Sequence, residues 1–151
     1  MWTFIFIVVL AYFLGSIPSA YLACKLKLNQ DIRTLGSGNM GTTNAFRVLG
    51  PGLGILVFIV DVMKAWIAVY IGETLGGVPG AMLSVFFVVA GHFWPIWLDF
   101  KGGKGMACGV GILLVLLPYH AMVLLPLFAV VLLITGYVSL GSIADVYKRQ
   151  I

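Results

Sequence analysis

The stretch LGILVFIVDVMKAWIAVYI, residues 53–71, is apolar or aromatic everywhere except at Asp61 and Lys64. A helix rises about 1.5 Å per residue, so a stretch of this length crosses the roughly 30 Å of a bilayer's hydrocarbon layer. The two charges stand at i and i+3, on one helix face, where they pair and offset a cost of about 2.5–3.5 kcal/mol for each isolated charge near the bilayer centre. Such a pair faces protein rather than lipid. It suits anchoring of the helix slightly better than catalysis.

Working outward, the same composition recurs. Apolar blocks run from Trp2 to about Ala23, from about Ala81 to Leu98, and from Met106 to Ile143, where Pro118, Tyr119 and His120 mark a break between a short crossing and a second one. The 151 residues are 62% hydrophobic and 9% charged, with a mean hydropathy of +1.11, which excludes a water-soluble fold. The expected class is all-α, a polytopic transmembrane bundle of about five helices. Periodicity adds nothing, because a helix among lipid and other helices is apolar on all sides. No basic residue precedes the first block, which is also long for a signal core, so it reads as a retained helix. Cys24 and Cys108 stand alone, without metal or disulfide spacing, and read as small packing residues. No metal site is expected.

Lysine and arginine follow the first, third and fifth expected helices: Lys25, Lys27, Arg33 and Arg47, then Lys101 and Lys104, then Lys148 and Arg149. The Gly/Pro-rich turn after the second, around 73–79, and the turn after the fourth have none. The positive-inside rule therefore places the N-terminus outside and two glycine-rich loops in the cytoplasm. The net charge of +4 is mostly this topology signal, and no nucleic-acid-binding pattern accompanies it.

The first loop holds Gly36, Ser37, Gly38, Asn39, Thr43, Asn44 and Arg47. Glycines let backbone N–H groups converge, hydroxyls and amides add neutral donors, and arginine supplies a bidentate fork, which together make an anion cradle. The bland alternative is a flexible connector. The second loop sets Lys101 and Lys104 among Gly102, Gly103 and Gly105; alone it could equally be a basic belt snorkelling at a helix end. It is no Walker A loop, since Gly105 stands where Ser or Thr is required. His92, before Pro95 at a helix end, is a second-rank site candidate and could as well hydrogen-bond the kinked end. His120 falls on the outer side. Small residues at Gly50/Gly54, Gly72/Gly76 and Gly105/Gly109 permit close packing.

Two stretches, GSGNMGTTNAFRVLG (36–50) and GHFWPIWLDFKGGKG (91–105), resemble the first two signature motifs of the PlsY family of bacterial membrane acyltransferases. GSIPSAYL (15–22), DVMKA (61–65) and YVSLGSI (137–143) agree with it as well. The resemblance implies transfer of a fatty acyl group from acyl phosphate to the primary hydroxyl of glycerol 3-phosphate in phospholipid synthesis. Lysophosphatidic acid and phosphate would be the products, with no coenzyme A, acyl carrier protein or other cofactor as direct donor, and the acyl chain would lie in membrane lipid. It makes Ser37, Asn39, Thr43 and Arg47 first-loop contacts, Lys104 with its glycines the second, and Ser139 and Ser142 further contacts, with Ser37, Arg47 and Lys104 closest to the chemistry. No protein base stands out in these loops, so the acceptor's own phosphate is expected to take the hydroxyl proton.

Family members continue after YVSLGSI into further helices and a third motif with a histidine and an asparagine. Residues 1–144 are thus expected to form an incomplete membrane-embedded domain, nearly inactive by itself, and 145–151, hydrophilic and unlike the family, a non-native tail. Gly136 stands where the family often has arginine. The competing reading is a small transporter or channel subunit for an anionic metabolite. It predicts polar residues through the depth of several helices, whereas the third to fifth helices carry almost none between their ends.

Overall fold

The computed structural model describes residues 1–135; Ser139, Ser142 and residues 145–151 lie outside the described residues. The described chain is helical, with α1 (Trp2–Gly15), α2 (Ser19–Leu28), α3 (Thr42–Leu49), α4 (Pro51–Phe93), α5 (Met106–Leu116) and α6 (Pro118–Thr135). Two stretches, Trp2–Leu28 and Pro51–Leu98, are long and apolar enough to cross a membrane.

The first block is not one helix. It breaks at Ser16–Pro18, because proline has no N–H to continue the ladder and its ring collides with the preceding turn. The Ser16 N–H and Oγ both donate to the Tyr12 carbonyl, at 2.9 and 2.8 Å, closing α1. The stretch from Lys25 to Arg47 is likewise not all loop: it begins in α2 and ends in α3, an amphipathic helix that buries Asn44, Ala45 and Leu49. Lys27 donates to the Leu49 carbonyl at 2.8 Å, closing the C-terminal end of α3 as a cation should.

Helix α4 is a hairpin. Gly77 adopts φ 58°, ψ −153°, a conformation open essentially to glycine alone, and the chain turns back there. The arms, 51–76 and 78–93, then run antiparallel: a side chain added at Gly72 would strike Ser84 and the Gly80 carbonyl. The turn thus falls within the expected 73–79 region, but the helices reach further into it than composition suggested. Residues 94–105 carry one short 3-10 turn, Ile96–Leu98. At about 1.5 Å per residue α5 measures only about 16 Å, short of the roughly 30 Å of a bilayer's hydrocarbon layer, and the chain breaks at Leu117 before α6.

Lipid tails are as apolar as leucine, so burial alone does not hold such helices together and close packing must. Small residues supply it. An added methyl at Gly15 would collide with the Val88 backbone, at Gly91 with the Tyr12 carbonyl, and at Gly111 with the Val62 carbonyl. These three contacts press α1 against the second arm of α4 and α5 against the first. One buried cluster joins Ala11, Ala65, Ala68, Val69, Ala81, Val88 and Cys108 in the helices. A second joins Ala20, Cys24, Ile32, Met40, Ala45, Leu49, Val57 and Leu98, fastening the first loop and α3 to α2 and the start of α4.

Candidate active site

The first loop is built around Asn44. Its Oδ1 accepts from the Ser37 N–H at 2.9 Å, and its Nδ2 donates to the carbonyls of Asn39, Leu35 and Ile32 at 2.9, 3.1 and 3.4 Å. Asn44 is buried, and Gly36, at φ 57°, lies so close that a Cβ there would meet its side chain. Expected as a phosphate contact, Asn44 instead has its amide committed to the backbone, because only a four-handed side chain can satisfy a loop that turns this tightly. Asn39 divides its role: its Oδ1 accepts from Gly41 N–H at 3.0 Å, while its own N–H and that of Met40 donate to no described residue. Ser37, Gly38 and Arg47 are half-buried and Thr43 exposed. Arg47 lies in the last turn of α3, and its guanidinium has no hydrogen-bond or ion-pair partner among the described residues.

Arg33, not singled out in the sequence, ties the loops together. It donates to Asp31 from Nε and Nη2, at 2.9 and 2.7 Å to Oδ2, and from Nη1 to the Leu98 carbonyl at 3.2 Å. The guanidinium hydrogen bonds hold the Asp31 carboxyl below the usual carboxylate range, and Asp31 in turn raises Arg33. Sequence offered one signal for this, an acid and a base two residues apart at the start of a basic stretch.

In the second loop the N–H groups of Gly102 and Gly103 donate to the carbonyls of Phe93 and His92, at 2.9 and 3.1 Å. Their amides are therefore turned toward protein, contrary to the expected cradle; what these glycines contribute is room, since a Cβ at 102 would strike the His92 carbonyl and one at 103 the His92 ring. The Lys104 and Gly105 N–H groups donate to no described residue, and Gly105, at φ 73°, caps α5. Lys101 and Lys104 are exposed and have no side-chain partner among the described residues.

Behind the loops lies a buried ionic cluster. Lys64 Nζ meets Asp61 Oδ1 at 2.7 Å and donates to the Ile17 carbonyl at 2.8 Å, the group released by the Ser16–Pro18 break. Ser19 donates to Asp61 at 2.8 Å, and His92 Nδ1 stands 3.9 Å from the same carboxylate. The anchoring role expected of the pair is visible, with the addition that it grips the broken first span. A small, partly open pocket of about 10 Å³, room for a single water, is lined by Ser16, Ser19, Met40, Lys64, His92 and Gly103 among others. Met40 belongs to the first loop and Gly103 to the second, so both loops meet over the ionic cluster.

The sequence profile of the family described as glycerol-3-phosphate acyltransferase matches residues 5–147. The glycerol-3-phosphate acyltransferase of Syntrophomonas wolfei is 44% identical over 137 residues, covering 91% of this chain and 70% of that protein. That of Clostridioides difficile is 42% identical over 152 residues, covering 97% and 74%. The crystal structure of PlsY, an integral membrane glycerol 3-phosphate acyltransferase, in its glycerol 3-phosphate form superposes with a TM-score of 0.84 at 37% identity, covering 94% of this chain and 72% of that one. Its lysophosphatidic acid form gives 0.75 at 35% identity, covering 96% and 72%. With a matched profile over nearly its whole length, relatives above 40% identity and the same integral membrane fold, the chain belongs to the glycerol-3-phosphate acyltransferase family.

Proposed function

We propose that this chain performs its family's acyl transfer with an acyl phosphate as donor and glycerol 3-phosphate as acceptor, at the two glycine-rich loops. The observation that carries the reading is a set of cations without protein partners among the described residues, Arg47 in α3 beside the first loop and Lys101 and Lys104 in the second, where the two loops meet over one pocket. Both substrates bear a phosphate, and each needs a cation and N–H donors. Arg47, with Ser37, Gly36, Gly38, Asn39 and Thr43, serves one phosphate; Lys104, with Lys101 and the free amides of Lys104 and Gly105, serves the other. Gly102, Gly103 and Asn44 shape these sites from behind.

The acceptor's primary hydroxyl oxygen attacks the acyl carbonyl carbon, a C–O ester bond forms, and the bond to the donor phosphate oxygen breaks. Phosphate departs with the electron pair, its charge neutralised by the adjacent cation, so no covalent acyl-enzyme is needed. The acceptor's own phosphate takes the hydroxyl proton, a role its second ionisation near neutral pH suits. The acyl chain lies among lipid and the exposed apolar helix faces.

The basic loops face the cytoplasm and the N-terminus the outside of the bacterial inner membrane, on the evidence of lysine and arginine placement. The reading is tested by phosphate release from acyl phosphate by the protein in lipid. Release that depends on glycerol 3-phosphate and falls by about 10²–10³ in Arg47→Ala is the expected outcome. Release that ignores Arg47, or needs no acceptor, overturns it.

A further inference from the structure

Four observations converge on His92, which no step above uses. Its carbonyl accepts from the Gly103 N–H at 3.1 Å. Its ring lies against Gly103, with Nε2 the atom nearest to where a Cβ would stand. Its other ring nitrogen, Nδ1, points at Asp61, 3.9 Å from Oδ1. Asp61 is 1% exposed, and its second oxygen, Oδ2, has no hydrogen-bond partner among the described residues. A buried carboxylate oxygen without a donor is costly, and the His92 imidazole, beside the same carboxylate on its Oδ1 side, is a group that a turn of either side chain brings to it.

We propose that His92 is a positioning residue that sets the second glycine loop, and that Asp61 holds His92 in place as the loop closes on phosphate. The ring acts as a spacer between two rigid parts. On its inner side is Asp61, already fixed by Lys64 and Ser19 to the break in the first span. On its outer side is Gly103, one residue from Lys104. The 3.9 Å separation is to Oδ1, which Lys64 and Ser19 already serve, so the ring must shift toward Oδ2 to supply the missing donor; that shift draws the loop inward, so that occupation of the phosphate site and completion of the buried cluster favour one another. A ring at 92 also explains why 103 is glycine, for any side chain there would displace the spacer. In this arrangement His92 sets where Lys104 sits without touching the reacting atoms.

The inference rests on the acyltransferase reading for its kinetic part only. The full chain in lipid is compared with Asp61→Asn, His92→Ala and the double variant, with Ser19→Ala as a milder perturbation of the same carboxylate should Asp61→Asn fail to fold. Amide hydrogen exchange at Gly102 and Gly103 needs no turnover and reads the loop directly. Both single variants should speed it, and the double variant should be no faster than the faster single, because the residues act in series. In steady state, KM for glycerol 3-phosphate or acyl phosphate should rise between about ten- and a hundredfold while kcat changes much less. Multiplicative effects of the two substitutions, unchanged exchange, or a loss confined to kcat with the acidic limb of the pH profile abolished would overturn it, the last marking His92 as a general base. Absence of turnover in the unaltered protein would leave the exchange result to decide the role of His92 by itself.

Discussion

Asn44 accepts one N–H and reaches three carbonyls from a buried position. Removing that amide strands several polar groups, each worth about 1–3 kcal/mol when left unmet. Asn44→Ala is therefore expected to lower thermal stability in lipid by at least about 2 kcal/mol and to raise KM for substrate, because Ser37 loses its fixed position. Asp31 gives a pH signature. Its carboxyl is held below the range of the unfolded chain by Arg33, so its contribution is fully present above about pH 3.9 and is lost as pH falls through the lower folded value. The stability difference between the unaltered protein and Asp31→Asn should stay constant from neutral pH down to mildly acidic pH and vanish under strongly acidic conditions. Since Asp31 and Arg33 are partly exposed, the difference should be modest and should shrink in salt. The sequence made the glycines, amides and cations of both loops legible by their chemistry. It could not say which of Asn39 and Asn44 turns inward, nor that Gly102 and Gly103 face carbonyls, because those choices depend on how the loop backbone folds back over residues about one turn of loop away, which residue types alone do not reveal.

At the scale of elements, the Gly77 turn is the sharpest commitment. Its backbone lies where other residues are strained, and nothing stands within 4 Å of the place a Cβ would occupy, so Gly77→Ala isolates backbone strain from crowding. The expected cost is about 1–3 kcal/mol, read as a fall in melting temperature with little change in KM. Gly91→Ala offers the contrast, since its methyl would meet the Tyr12 carbonyl and force α1 from the hairpin. Apolar blocks announced the spans, and the 73–79 turn and the break near Pro118 were visible in glycine and proline. Two features were hidden by their surroundings. Pro18 sits inside a block that is apolar on average, so hydropathy masks the break it makes beside Ser16 and Ser19, and α3 begins after so many glycines that loop composition conceals eight helical residues.

For the molecule as a whole, the proposed orientation can be read with thiol reagents. Cys24 and Cys108 are both 0% exposed, so the native thiols give a quiet background. Cysteines introduced at the exposed positions Thr34 and Lys101 should react with an impermeant reagent only in inside-out membranes, and one at exposed Glu73 only in right-side-out cells. Labelling of all three from the same side would contradict the hairpin crossing. The global fold was the most legible level of all, because a chain with 62% hydrophobic residues and basic residues on alternate turns has few arrangements in a bilayer. Its details depend instead on glycine contacts such as those of Gly15 and Gly111, whose partners are distant in sequence.

The pairing of Asp61 with Lys64 inside one helix also bears on biogenesis. Charges that find their partners on other helices must wait for assembly, whereas these two, one turn apart and 2.7 Å from one another, can neutralise each other while the hairpin is still leaving the insertion machinery. The hairpin can thus enter lipid before α5 arrives, carrying its polar cargo already discharged, and the Ile17 carbonyl and Ser19 of the preceding span then serve as the latch that receives it.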